Sequence, residues 1–353
     1  MQSLAEFHKN KITIKRSKDI SRLYSNSHYG KIKEKDKLEL NLLEGAYLLD
    51  EGKLRIFNKK KEMHFQDIVK IASSNITDFE IKYLVFKDLR NRGYPIRLSG
   101  EEEIATFYKF NKTRNNLSSD KQFFILTFSE RDYLDIKKFI LLFQEVKKKS
   151  GVLWFSIVDE EGDITYYEVS LFNIQGEVNE NTFPKTTGIL LKNRIIIFER
   201  NIAKILQKTE FFGKIFGDGL QLSLVESLYL SEKGMLNVET ADGKKITKKS
   251  LKNYISKIQP ELKSIFPVYK DLKKRGFIVK TGFKYGAHFR VYTKFIGEIH
   301  ADYLVHVIDD NYKGTWADMS RAVRLAHSVN KEFVFAKIDD DSISYIKLGR
   351  LRP

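Results

Sequence analysis

Cysteine is absent from the 353 residues, which removes disulfides, thiolate zinc sites and cysteine nucleophiles together. A reducing, cytoplasmic setting is therefore the expectation. Proline is scarce at five residues, and 42% of the chain is hydrophobic, so collagen-like and disordered classes are excluded. Long apolar runs are missing as well. Phe139–Phe143 and Ile195–Phe198 stop far short of the ~18 residues a membrane-spanning helix needs, and Glu6, His8, Lys9, Lys11, Lys15, Arg16 and Lys18 break Met1–Asp19 where a secretory signal would be apolar. No membrane partner is expected. Neither G-x-x-x-x-G-K-[ST], nor a G-x-G-x-x-G after a strand, nor H-E-x-x-H, nor G-x-S-x-G occurs, so no metal or cofactor is expected.

What the chain does contain is positive charge. Lys and Arg number 62 against 46 Asp and Glu, a formal net charge of +16, which makes a polyanion such as nucleic acid the natural partner. The length calls for two or more domains, and an internal repeat supplies them. Leu40–Leu54 superposes without gaps on Leu222–Leu236, a displacement of 222 − 40 = 182, with Glu44, Tyr47 and Gly52 matched by Glu226, Tyr229 and Gly234. Phe86–Tyr94 matches Tyr269–Phe277 at 275 − 92 = 183, each an amphipathic helix closed by glycine (Gly93, Gly276) before a strand. Leu153–Asp159 matches Phe333–Asp339 at 339 − 159 = 180. Three blocks in one order at nearly one displacement mean duplication.

The expected fold class is α/β (α+β) in two tandem repeats, each an N-terminal helix/strand lobe followed by a mixed-sheet, nuclease-like lobe flanked by helices. The expected bounds are 1–75 and 76–172 for the first repeat, a turn-rich linker at 173–186, then 187–256 and 257–353. Within the last lobe, helices are predicted over Pro260–Lys274, interrupted or kinked at Pro267, and over Trp316–Ser328. Strands are predicted at Val279–Thr281, His288–Tyr292, Tyr303–Ile308, Phe333–Ile338 and Ile343–Leu348.

Four of seven histidines (His288, His300, His306, His327) fall in this last lobe. A basic lobe with histidine, tyrosine and lysine is the minimum kit for cleaving RNA through its own 2′-hydroxyl. That reaction needs a base at the 2′-OH, an acid at the leaving 5′-oxygen and a cation beside the phosphorane oxygens. The stretch Arg275–Tyr292, containing Lys280-Thr-Gly282-Phe-Lys284-Tyr-Gly286, then His300–Val305 and Arg321–Lys331, resembles the catalytic domain of archaeal tRNA-splicing endonucleases. The resemblance is close over the final lobe and fainter over the whole chain. Within that family the homodimeric branch fuses a degenerate first copy to an active second one.

The resemblance implies Tyr292 as general base, His300 as general acid and Lys331 as the transition-state cation. It implies Arg324 and Arg350 as guanidinium clamps on an extruded base. It implies a homodimer acting on precursor tRNA at bulge-helix-bulge junctions, leaving 2′,3′-cyclic phosphate and 5′-hydroxyl ends. In the first repeat Tyr108 is aligned with Tyr292 at a displacement of 184, while Asp120 stands opposite His300 and Gly151 opposite Lys331. That copy is expected to be structural. Its acidic turn, Asp159, Glu160, Glu161 and Asp163, resembles the loop that docks in a basic pocket of the opposing subunit. Two other classes stay open: a metal-dependent nuclease using Glu298, Asp302 and Asp339, and a non-catalytic RNA-binding assembly subunit.

Overall fold

The structure, a computed structural model, describes residues 2–33, 36–99, 106–109, 123–173, 175–179, 181–294, 301–309, 312–338 and 342–353. In the first repeat the chain runs β1 (Ser3–His8), β2 (Lys11–Ile14), α1 (Ser17–Ile20), β3 (Lys31–Lys33), β4 (Lys37–Leu40), α2 (Leu42–Asp50), β5 (Leu54–Asn58), β6 (Lys61–Met63) and α3 (Phe65–Ser73). Then follow α4 (Phe79–Asn91), β7 (Ile96–Leu98), β8 (Phe107–Lys109), β9 (Phe123–Ser129), α5 (Ile136–Lys148), β10 (Val152–Val158) and β11 (Ile164–Leu171).

The second repeat has the same succession. It begins with β12 (Thr186–Leu191), β13 (Arg194–Ile197), α6 (Arg200–Glu210), β14 (Lys214–Phe216), β15 (Gly219–Leu222), α7 (Leu224–Glu232), β16 (Leu236–Thr240), β17 (Lys245–Ile246) and α8 (Lys248–Ile258). It ends with α9 (Leu262–Lys274), β18 (Ile278–Thr281), β19 (Phe289–Tyr292), β20 (Tyr303–Ile308), α10 (Trp316–Ser328), β21 (Glu332–Ile338) and β22 (Ile343–Leu351). The N-terminal lobes order their strands β3-β4-β2-β1-β5-β6 and β14-β15-β13-β12-β16-β17, position for position alike. In the nuclease-like lobes β7 to β11, and β18 to β22, lie side by side in sequence order, antiparallel except for the parallel pairs β9/β10 and β20/β21.

Two compact units emerge: Met1–Val169 with Lys313–Ser320 and Arg350–Pro353, and Ser170–Tyr312 with Arg321–Gly349. Each has its own hydrophobic core. The repeated sequence blocks are the ones that build these cores. Tyr47 stacks edge-on against Phe86 at 5.5 Å, and Phe86 meets Phe107; Tyr229 stacks edge-on against Tyr269 at 5.5 Å, and Tyr269 meets Phe289. Such pairs stabilise beyond their buried area by roughly 0.5–1.5 kcal/mol each. The duplicated Asp and Arg have a common task too. Asp88 accepts from Arg92 one helical turn on and from the Tyr166 hydroxyl at 2.7 Å, and Asp271 does the same with Arg275 and Tyr345. In both repeats this ties the end of the long helix to the last strand.

Three details differ from the sequence reading. Pro267 does not interrupt α9, which runs unbroken from Leu262 to Lys274 although the bond its N–H would have made to the Lys263 carbonyl is lost. Residues 3–14, not assigned to strands from sequence, form β1 and β2. The segment expected to be a linker is tied to the second repeat: the Gly176 and Val178 N–H groups donate to the Arg275 and Gly276 carbonyls at 2.8 and 3.0 Å, and the Glu177 N–H donates to the Thr293 carbonyl. Two glycines make this approach possible. A Cβ on Gly176 would stand 1.9 Å from the Gly276 carbonyl oxygen, and Gly276 has φ +80°.

Candidate active site

The second repeat's sheet brings two of the three expected catalytic residues to one end. β19 is antiparallel to β20 with Val291 opposite Tyr303, and β20 is parallel to β21 with Tyr303 opposite Glu332. Tyr292 therefore lies one step beyond this row and Lys331 one step before it, on strands flanking β20. Two strand spacings separate their backbones, about 10 Å. Side chains alternate across a sheet, so with Val291 and Tyr303 in the core, Tyr292 belongs to the opposite face.

Asp302 occupies the middle of that outer row. Its N–H donates to the Val291 carbonyl and its carbonyl accepts from Glu332, both at 3.0 Å. Its carboxylate accepts from the Thr293 N–H and hydroxyl, both at 2.8 Å. The Thr293 carbonyl in turn accepts the Glu177 N–H from the segment ahead of β12. This latch fixes both ends of the stretch carrying His300, and it engages the one described carboxylate of the metal-nuclease alternative. His300 itself lies outside the described residues, as do Glu298, Asp339 and Asp120. Among the described residues, no three His, Asp or Glu side chains gather to hold a metal ion.

Lys331 is set by the end of α10. The chain leaves the helix through Asn330 at φ +54°, and the Lys331 N–H then caps the Ala326 carbonyl at 2.9 Å. Only 8% of the residue is exposed. Its ammonium donates to the Val329 carbonyl at 3.1 Å and stands 5.6 Å from the centre of the Tyr285 ring. Arg324, on the exposed side of α10, belongs to the second unit; Arg350, exposed near the end of β22, opens the C-terminal segment of the first.

Two of the four clustered histidines have other work. The His288 and His306 rings pack 4.5 Å apart, and His288 Nδ1 accepts the Val307 N–H at 3.0 Å. Burial, then the neighbouring His288, pushes His306 down to about 4, and burial lowers His288. Both are neutral packing groups at pH 7.

In the first repeat the sequence alignment of Tyr108 needs correction. The ring ladder makes Phe107 the counterpart of Phe289, so Tyr108 matches Arg290 and not Tyr292. Tyr108 packs against Phe124 instead. A hydroxyl at 108 misled the comparison because the hairpins joining β7 to β8 and β18 to β19 differ in length. Gly151 keeps its place opposite Lys331: Trp154 pairs with Ile125 as Val334 pairs with Val305. A side chain there would strike Phe124, 2.5 Å from the position of a Cβ.

The acidic turn is only partly free to bind. Asp159 Oδ1 accepts the Glu161 and Asp163 N–H groups at 3.1 and 2.9 Å, closing the turn around Gly162 at φ +85°, while Glu160 pairs with Arg131. Glu161 and Asp163 are exposed. Sequence reasoning did not assemble the cavity of about 760 Å³ in the second unit, between its two lobes. Arg194, Lys214, Lys280 and Arg290 line it beside Glu226, Glu261 and the neutral His288, with Phe283, 88% exposed, alongside. Arg290 Nε is buried without a hydrogen-bond partner among the described residues. These cations lie between Arg194 and Arg290 in three separate segments, so no local pattern marks them.

Comparison with known proteins agrees with this architecture. The tRNA intron endonuclease N-terminal domain matches residues 3–69 and 186–252, and the catalytic C-terminal domain matches 79–166 and 262–345. A tRNA-splicing endonuclease of Methanococcoides burtonii is 34% identical over 99% of both chains, and one of Methanosarcina mazei is 36% identical over 94% of both. One from Methanopyrus kandleri is 39% identical over 38% of this chain but 74% of its own length. With both domains present twice and relatives matched from end to end, the chain belongs to the tRNA intron endonuclease family.

Proposed function

We propose that the second repeat cleaves precursor tRNA at bulge-helix-bulge junctions by attack of the ribose 2′-oxygen, with no metal taking part. In this reading Tyr292, acting as the phenolate, takes the 2′-OH proton to become the phenol while the 2′-oxygen attacks phosphorus. His300 hands its proton to the departing 5′-oxygen, leaving a 2′,3′-cyclic phosphate and a 5′-hydroxyl. Lys331 stands by the phosphorane oxygens, where charge grows during the reaction. The observation that carries the reading is Lys331 itself: a cation 8% exposed, held at the strand end in the same row as Tyr292 with Asp302 between them, its ammonium met among the described residues by a carbonyl and a ring. A buried ammonium without an anion is costly, and a substrate phosphate supplies the missing charge. His300 is one peptide bond from Ala301, which the Asp302 latch anchors beside the same strand ends.

Arg324 and Arg350 are read as the base clamp. The acidic turn and the basic cavity support a homodimer in which Glu160, Glu161 and Asp163 of one copy enter the Arg194, Lys214 and Arg290 cavity of the other. No described helix is long and apolar enough to cross a membrane; a cytoplasmic site of action, suggested by the cysteine-free chain, is part of the proposal. The test is incubation with a bulge-helix-bulge RNA in excess EDTA and analysis of the ends. Cleavage to a cyclic phosphate and a 5′-hydroxyl is expected. Loss of activity in EDTA, restored by Mg²⁺, returns the metal-nuclease alternative. Binding without cleavage in either condition returns the assembly subunit.

A further inference from the structure

The surroundings of Lys331 contain a group that the three-residue chemistry leaves unused. Between β18 and β19 the chain makes a single 3₁₀ turn, Phe283–Tyr285, closed by Gly286 at φ +66°. The turn's last residue, Tyr285, lays its ring 5.6 Å from the Lys331 ammonium. We propose that Tyr285 is a positioning residue for Lys331: the face of its ring fixes the ammonium beside the scissile phosphate while leaving the positive charge unspent. The inference rests on the reading of Lys331 given above.

The physical argument turns on what else could hold a buried lysine. A carboxylate would orient the ammonium more strongly, as Glu226 does for Lys280 at 2.6 Å and as Glu210 does for Lys273 in the same unit. It would also neutralise the charge that the transition state needs. An aromatic face attracts a cation through its quadrupole, worth several-fold in an equilibrium, and carries no net charge. The Val329 carbonyl, only two residues back in the chain, supplies one further acceptor at 3.1 Å. A lysine ammonium has three donors, so hydrogens remain for phosphate oxygens. The attraction comes from the ring, not the hydroxyl, and this gives the test its control.

The experiment measures single-turnover cleavage and RNA affinity for Tyr285→Phe, Tyr285→Leu, Lys331→Ala and the double variant Tyr285→Leu/Lys331→Ala, with thermal melts for each. Tyr285→Phe keeps the ring and should cleave within about twofold of the parent. Tyr285→Leu should lose about 3- to 30-fold in rate, with affinity and melting temperature nearly unchanged. In the Lys331→Ala background the same substitution should cost nothing further, because the group it positions is gone. A merely structural tyrosine would slow both backgrounds equally, and that result overturns the inference. So does a parental rate for Tyr285→Leu while Lys331→Ala is slow, which leaves the reading of Lys331 standing. A parental rate for Lys331→Ala removes that reading and this inference together.

Discussion

Glu44 and Glu226 occupy the same place in the two repeats and are electrostatic opposites. Each closes a capping box, accepting the N–H of Asn41 or Ser223 and also that of Gly30 or Gly213. For Glu44, burial outweighs those N–H groups and the more distant Arg97 and Arg90, and its carboxyl sits above the ordinary range. For Glu226, burial is outweighed by the Lys280 ammonium and the same kind of backbone donors, and the carboxyl sits below it. Arg97, opposite Lys280 in the alignment, donates instead to the His28 carbonyl. The ring ladders and the Asp–Arg–Tyr ties are common to both copies. Shape is shared, and the second copy holds the cations Lys280, Arg290 and Lys331 where the first has Arg97, Tyr108 and Gly151. In the function proposed above, the first repeat is a scaffold of the same form that carries no chemistry.

Substitutions that break this asymmetry should differ in size. Lys331→Ala should lower the single-turnover rate by about 10²–10³-fold, as expected for a group aimed at developing charge. Some loss of RNA affinity should accompany it if the contact already exists in the ground state. Replacing Glu160, Glu161 and Asp163 by neutral residues, while keeping Asp159 because it closes the turn, should raise the dimer dissociation constant about 10²-fold and lower cleavage at dilute protein in parallel. Sedimentation showing an unchanged dimer would reduce the hairpin to an ordinary turn.

The glutamate pair sharpens the comparison through stability. Glu226→Gln should cost about 3 kcal/mol at pH 7, since it leaves Lys280 buried beside the Phe211 and Gly213 carbonyls alone. Because the folded carboxyl is depressed, that contribution is full above the ordinary glutamate value and is lost as pH falls through the folded one. Glu44 has the reverse sign. Its folded carboxyl is raised, so ionised Glu44 opposes folding at neutral pH, and the penalty fades as pH falls through its folded value. Glu44→Gln should therefore change stability by about 1 kcal/mol or less. Urea unfolding of both variants at several pH values would separate the two signs.

Much of this was legible in the sequence, and the physics says why. Core rings and helix-closing glycines recur at fixed spacing, so Tyr47/Tyr229, Phe86/Tyr269 and Gly93/Gly276 exposed the duplication directly. The strand placing Tyr292 was readable from its alternation, and Lys331 from its motif. Tyr108 was misplaced because a hairpin of different length shifts register without leaving a mark in composition. The cavity cations, the Asp302 latch and the Tyr285 face depend on contacts between distant segments. In the sequence Glu226 was only the match of Glu44 in the repeated helix; the fold adds Lys280, 54 residues away.

The central claim is that chemistry resides in the second repeat and that the first is its inert copy. Single-turnover cleavage of a bulge-helix-bulge RNA by His300→Ala and Asp120→Ala, in the same buffer and with affinity measured alongside, tests it most directly. A general acid contributes about 10²–10⁴-fold, so His300→Ala should slow the reaction by that order with little change in affinity, while Asp120→Ala should cleave at the parental rate. Equal rates for the two variants, or a parental rate for His300→Ala, would contradict the account.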